Sequence, residues 1–243
     1  NLVIMTFIYK PKKGLTGKLY FKFMKYVVQS KYVDIFICFS KKECEYYSKL
    51  FNVSNEKFRF STLGIENISL PKEVKPIKNE KTILSCGRSN RDYNFLYNAI
   101  KDTNYHLDII SDECKLKKCK NIKIYNNVYG NEYLKMLNNS YIVVIPLKDE
   151  DISAGQLVIL QAMQLGKVTI CTNSNTVSDY IEDGVNGFII KKDEKELINL
   201  IEKLYKDEEL YNKISKNQKE IFEKKFSTKV LANQVGNIVN EIQ

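Results

Sequence analysis

Short apolar runs of strand length alternate along the chain with segments whose apolar residues recur at helical spacing. TILSC at 82–86, HLDII at 106–110, IVVI at 142–145 and VTIC at 168–171 are among the clearest. Near-continuous apolar strands arise when a sheet is buried on both faces, and helix-length connections between them are what parallel strands require. The pattern predicts strands at 3–9, 35–39, 58–60, 82–86, 106–110, 122–125, 142–145, 168–171 and 188–190. Helices are expected at 15–30, 41–51, 92–101, 131–138, 156–165, 176–182, 194–206, 208–224 and 227–242. The fold class is therefore α/β, doubly wound.

Residues 69–80, SLPKEVKPIKNE, carry two prolines and little periodicity, which reads as a linker, drawn at 71–80. The segment 81–225 holds enough strand and helix pairs for a complete Rossmann-like domain, and 226–243 is expected to be a helix packing back toward the N-terminal domain. Residues 1–70 supply about three strands, so a partial N-terminal Rossmann-like domain is expected, with a further segment upstream of Asn1. The net charge of +9 is concentrated there: residues 1–70 hold 12 Lys/Arg against 5 Asp/Glu, or +7. Such a bias suits an anionic partner. No RNA- or DNA-binding signature accompanies it, so nucleic acid is not an expected partner. No signal peptide or membrane-spanning run is read, and the protein is expected in the cytoplasm. The six cysteines include no CxxC pair, and neither disulfides nor a metal site are expected.

Two loops carry the candidate chemistry. Gly87, Arg88 and Arg91 follow the strand ending at Cys86, where open α/β sheets bind ligands. Gly87 permits a sharp exit from the strand, and the two guanidinium groups offer forked donors for phosphate oxygens. Two arginines in such a loop are more often plain surface charges, and what lies downstream favours the site. The second loop, Asp149 to Leu157, leads into a helix. Ser153 reads as the helix N-cap and Gly155 as a point of close backbone approach. The first-turn N–H groups around Ala154, Gln156 and Leu157 can receive an anion such as a diphosphate. Gln161, two turns on, is placed to reach a ligand lying along the helix. Taken alone, the acidic residues and Gln161 also read as ordinary surface polarity.

Four ordered segments carry a resemblance: GRSNRDYNFLYNAI at 87–100, NIKIYNNVYGNEYLKMLNNSYIVVIPL at 121–147, SAGQLVILQAMQLGKVTI at 153–170 and VSDYIEDGVNGFII at 177–190. Together they resemble the donor-binding domain of retaining GT-B-fold glycosyltransferases of family four (group 1). VDIFICFS at 33–40 and NVSNEKFRFSTLGIENI at 52–68 are similar to the end of that family's N-terminal domain. The resemblance implies a GT-B architecture and transfer, with retention, from a nucleoside-diphosphate sugar. That sugar nucleotide is a substrate; no separate cofactor is implied. Arg88 would grip the diphosphate, with Arg91 near a position where the family commonly has a lysine, and backbone around Val128 would meet the base. The family's two glutamates, separated by seven residues, fall here on Ser153 and Gln161. An amide offers one acceptor oxygen where a carboxylate offers two, so ribose contact is expected to be weakened or rearranged, and acidic contact to the sugar falls to Asp151. A histidine often contacts the donor sugar in the family's N-terminal domain. The only histidine here, His106, sits in the other domain and is expected to be structural.

On the acceptor side, Lys18, Lys22 and Lys25 lie at helical spacing beside Leu19, Phe23, Tyr26 and Val27 within residues 10–31. This suits a basic amphipathic helix on an anionic membrane surface and equally an ordinary packed helix with a solvated lysine face. A glycan or lipid-linked acceptor and a peripheral position at the inner face of the plasma membrane follow from the first. The competing functions are a nucleotide-sugar-binding module without transfer, and another GT-B enzyme such as a sugar-nucleotide epimerase or a phosphorylase.

Overall fold

The computed structural model describes residues 2–70 and 81–241, so the linker drawn at 71–80 lies outside the described residues. The chain divides into two compact units, Asn1–Leu63 with Thr228–Gln243, and Gly64–Ser227.

The first unit starts with β1 (Val3–Met5), α1 (Gly14–Gln29), β2 (Ile35–Cys38), α2 (Lys41–Phe51) and β3 (Phe58–Phe60). The strands form a parallel sheet in the order β1-β2-β3. β2 is buried throughout, and its alternation assigns a core to each face. Phe36 and Cys38 join Phe7, Tyr9, Tyr47, Phe51 and Phe58 in an aromatic cluster beneath α1 and α2. Phe7 and Phe36 meet edge-on at 4.9 Å, and Phe36 stacks on Phe58 at 5.2 Å. The expected strand 3–9 is shorter because Thr6 takes φ +58, a left-handed conformation that breaks the extended run. Phe7 and Tyr9 beyond it still enter the core.

In the second unit the elements run β4 (Ile83–Cys86), α3 (Tyr93–Ile100), β5 (Leu107–Ile110), β6 (Ile122–Tyr125), α4 (Gly130–Asn139), β7 (Ile142–Ile145), α5 (Gln156–Leu165), β8 (Val168–Thr172), β9 (Phe188–Ile190), α6 (Glu194–Lys206) and α7 (Glu208–Lys225). Six parallel strands lie in the order β6-β5-β4-β7-β8-β9. This is the dinucleotide-fold order, whose direction reverses between β4 and β7. A core of Ile83, Leu96, Leu107, Ile142, Val144, Ile170, Leu197 and Leu204 runs beneath the helices. The helix expected at 176–182 is reduced to a 3-10 turn at Val177–Asp179. Asn186 explains this: its amide accepts from Glu182 N at 2.7 Å and donates to Tyr180 O at 3.0 Å, drawing the backbone into a turn.

The chain then returns to the first unit as α8 (Thr228–Asn240). Ile238 packs with Ile35 and Ile37 on the sheet face opposite the aromatic cluster. Gln234 Oε1 accepts hydrogen bonds from Ser61 Oγ (2.8 Å), Thr62 N (2.9 Å) and Thr62 Oγ1 (3.0 Å). His106 is exposed just before β5, and its carbonyl accepts from Ile83 N at 2.9 Å.

Candidate functional site

The strand order reverses between β4 and β7, and the loops leaving their carboxyl ends part there, which makes this edge the natural crevice of the second unit. Asn90 joins the two loops. Its Nδ2 donates to Asp149 O at 2.8 Å, its Oδ1 accepts from Asp149 N at 2.8 Å, and its carbonyl accepts from Lys148 N at 3.1 Å. Asn90 has φ +57, a conformation asparagine tolerates better than most residues. Asp92 completes the loop: it caps α3 by accepting from Phe95 N at 3.1 Å, and its own N–H reaches Pro146 O at 2.7 Å.

Arg91 lies at the centre. Its Nε donates to Cys86 O at 3.0 Å and its Nη1 to Ser89 O at 2.7 Å. Nη2 lies against two glycines in left-handed conformations: a Cβ on Gly87 (φ +115) would come within 2.7 Å of it and one on Gly155 (φ +92) within 3.8 Å. The guanidinium is therefore held beside the start of α5. The ion pairs found among the described residues include neither Arg91 nor Arg88. The cation is partly buried, uncompensated by a carboxylate at contact distance, and aimed at a helix N-terminus. That combination attracts an anion.

Ser153 does not cap α5. The cap position is Gly155, whose left-handed turn leaves no side chain to accept the first N–H groups, and Ser153 Oγ instead accepts from Gln156 Nε2. The first-turn N–H groups at Gln156 and Leu157 thus have no side-chain cap, which suits an anion better than the expected Ser153 cap. Ala154 is buried and Leu157 exposed. Asp151 is tied sideways to the loop after β8, its carboxylate accepting from Asn175 Nδ2 at 2.6 Å.

Gln161 is partly buried on α5, and its Oε1 accepts from Tyr133 Oη at 2.8 Å. Tyr133 Oη also lies 3.7 Å from Cys86 Sγ. Burial pushes the Cys86 thiol up to about 11, with Tyr133 and Arg91 opposing the shift, and Cys171 up to about 12. Both remain protonated at neutral pH and supply no thiolate nucleophile.

A third loop joins this edge. Asp112, after β5, accepts from Asn127 N at 2.7 Å and from the Tyr129 hydroxyl. These bonds, together with the Arg88 charge, hold its carboxyl below the usual range. Arg88 is thereby placed near the loop that carries Val128, itself buried between Asn127 and Tyr129. The loops bearing Gly87, Arg88 and Arg91, those bearing Asp151 to Gln161, and that bearing Val128 share one sheet edge. Asn90, Asp112, Tyr129 and Tyr133 were not among the residues expected from sequence. Asn90 and Asp112 lie in loops, where a single polar residue carries no periodic signal. A groove of 550 Å³ between β9 and α6, lined by Asp183, Phe188, Asp193, Glu196 and Lys203 among others, uses none of these residues.

Comparison with known proteins agrees with the fold. The family model described as glycosyl transferases group 1 matches residues 69–221. An uncharacterized glycosyltransferase of Methanocaldococcus jannaschii is 27% identical over 157 residues, covering 60% of this chain and 44% of that protein. The capsular polysaccharide biosynthesis glycosyltransferase CapM of Staphylococcus aureus is 23% identical over 211 residues, covering 77% of this chain and 53% of that protein. The chain thus spans about half the length of the curated relatives it matches. The crystal structure of Anabaena HepE in complex with UDP-glucose aligns with a TM-score of 0.81 at 15% identity, over 99% of this chain and 72% of that one. At that identity the likeness establishes a shared α/β GT-B fold.

Proposed function

The chain belongs to the glycosyl transferases group 1 family, and from that premise we propose that it transfers a sugar from a nucleoside-diphosphate sugar to a glycan or lipid-linked acceptor, with retention, in surface polysaccharide synthesis. The observation that carries the reading is Arg91: a partly buried guanidinium without a carboxylate partner among the described residues, lodged between Gly87 and Gly155 at the uncapped start of α5. As the anomeric carbon–oxygen bond to the diphosphate breaks, negative charge grows on the departing oxygen. Arg91, Arg88 and the N–H groups of Gln156 and Leu157 are arranged to receive it. Preorganised donors of this kind lower a barrier by about 3 kcal/mol each, so the proposed chemistry needs no metal ion. The acceptor hydroxyl oxygen forms the new bond to the anomeric carbon as the bond to the diphosphate breaks, the bonding pair leaves on the diphosphate oxygen, and the hydroxyl proton passes to the departing nucleoside diphosphate.

Val128 backbone is assigned to the base, and Gln161 to the ribose. Gln161 differs from the family's carboxylate in a specific way: its one carbonyl oxygen accepts from Tyr133, and its amide brings N–H donors where a carboxylate has only acceptors. Asp151 is assigned to the transferred sugar. The proposed setting is the cytoplasm, at the inner face of the plasma membrane.

The test is a thermal-shift series with UDP, GDP, ADP and their sugars. Ligand at 100 times Kd stabilises by about 2.7 kcal/mol, roughly 5 to 10 °C for a unit of this size. One nucleotide should give that shift, and Arg88→Ala should weaken its binding by about tenfold to a hundredfold. If no nucleotide shifts the wild type, the donor-site reading fails. The alternative is binding without transfer, favoured by Ser153 and Gln161 standing where the family has glutamates. Nucleotide binding with no nucleoside diphosphate released in the presence of acceptor glycans would select it.

A further inference from the structure

Three residues on three elements form a chain of hydrogen bonds at the edge that carries Arg91. Cys86 ends β4, and its carbonyl accepts from Arg91 Nε at 3.0 Å. Its thiol lies 3.7 Å from the hydroxyl of Tyr133, in the first turn of α4. That hydroxyl donates to Gln161 Oε1 on α5 at 2.8 Å. A phenol has one proton to give. Since it goes to Gln161, the Cys86 thiol is the donor in its contact with Tyr133, and the chain runs one way, from Cys86 through Tyr133 to Gln161. Burial first, and then the neighbouring Cys86, raises the Tyr133 hydroxyl above the ordinary phenol value, so the proton stays in place at neutral pH.

The bond from Tyr133 settles which end of the Gln161 amide is engaged. Oε1 is turned to α4. Nε2 makes no hydrogen bond among the described residues, yet it is not one of the buried polar atoms left without a partner. It is therefore reached by solvent, and the open end of this side chain is a donor. A glutamate in the same place would keep one oxygen on Tyr133 and turn a charged acceptor outward. Resting on the reading that a nucleoside diphosphate binds here, we propose that Tyr133 is a positioning residue that makes Gln161 meet the ribose as a hydrogen-bond donor. The site then reads the oxygens of the ribose hydroxyls and leaves their protons to water. Hydroxyls both donate and accept, so natural nucleotides fit. A sugar substituent that accepts without donating fits nearly as well, which a carboxylate in the same place would not allow.

The probes are UDP, GDP and ADP, each beside its 2′-fluoro and 3′-fluoro forms, in which a weak acceptor that cannot donate replaces one hydroxyl. Kd is measured by calorimetric titration on the full chain, for whichever base binds. In the wild type each fluoro form should bind within about twofold of its parent. Gln161→Glu should reject one of the fluoro forms by about tenfold to a hundredfold, the range expected for losing a hydrogen bond to a charged acceptor. Tyr133→Phe frees Oε1 to turn to the ribose, and the penalty should rise to about fivefold to tenfold. The ratio between parent and fluoro form is the readout, because a residue that only props α4 against α5 changes both affinities together. The wild-type and Gln161→Glu ratios stand even where Tyr133→Phe fails to fold. A wild-type penalty of about fivefold or more would mean that Oε1 faces the ribose, with Nε2 donating to Tyr133 instead. A folded Tyr133→Phe with the wild-type ratio would make Tyr133 structural. Either result overturns the inference while the donor site stands, whereas no binding of any of the three parent nucleotides removes the donor site and the inference together.

Discussion

At the residue scale the site depends on Gly87 and Gly155, two positions where a side chain is not tolerated. Gly155 has φ +92, and a Cβ there would sit 3.1 Å from Ile145 Cγ2. Gly155→Ala should cost about 1–2 kcal/mol from the left-handed backbone alone, read from a shift in urea midpoint at unchanged slope. It should also remove the nucleotide thermal shift, since the cap it distorts is the proposed diphosphate seat. Gln161→Glu tests the neighbouring position. A carboxylate keeps the bond from Tyr133 and adds a second acceptor oxygen for ribose hydroxyls. Nucleotide affinity should therefore rise severalfold, and calorimetric titration showing an unchanged or weaker Kd would remove Gln161 from ribose binding. Asp112 adds a pH dependence. Its folded pKa is depressed, so its tether to Asn127 and Tyr129 contributes fully above the ordinary carboxylate value near 4 and is lost as pH falls through the lower folded value. Nucleotide affinity should accordingly be insensitive to Asp112 between pH 5 and 8, whereas Asp112→Asn should loosen Tyr129 at neutral pH, seen as faster amide exchange at residues 127–129.

At the element scale, most of the architecture was legible in sequence because buried parallel strands such as Ile142–Ile145 and Val168–Thr172 are apolar at nearly every position. The differences arise where a local bond or torsion overrides the pattern. β1 ends at Met5 because of Thr6, and the helix expected at 176–182 gives way to the turn that Asn186 organises. The site was legible in part. Gly87, Arg91 and Gly155 were singled out because turn residues and cations at strand ends have a known use. The capping role of Ser153 was misread because an N-cap is decided by backbone torsion, and Gly155 supplies the left-handed one. Tyr133 was missed because its partner Gln161 is 28 residues away. α8 illustrates what periodicity alone leaves out: its apolar positions mark a packed face without naming the partner, here Ile35 and Ile37 of β2. Ile238→Ala should destabilise the first unit by about 2–4 kcal/mol through cavity formation. Gln234→Ala should also destabilise it, leaving Ser61 and Thr62 without their shared acceptor. Measured exchange protection at 35–38 should fall in both.

At the scale of the whole molecule, charge and chemistry are divided between the two units. Residues 1–70 hold +7 of the net +9. The unit Gly64–Ser227 holds every residue assigned to the donor, from Gly87 through Val128 to Gln161. If that division is functional, the two ligands should protect different parts of the chain. A saturating nucleoside diphosphate should slow amide exchange at 87–92, 127–129 and 153–161 and leave 14–29 unchanged, since it binds the native second unit and suppresses its local opening. Anionic vesicles should do the reverse, slowing 14–29 with no effect at 153–161. Exchange measured with each ligand separately and then with both distinguishes two independent sites from a coupled pair. Additive protection means the donor site is preformed regardless of the membrane. A nucleotide Kd that falls on vesicles would define a coupling free energy between the sites, and the vesicle affinity must then rise by the same factor when nucleotide is present. Protection of 14–29 by nucleotide alone, without vesicles, would contradict the division and assign α1 a role in donor binding.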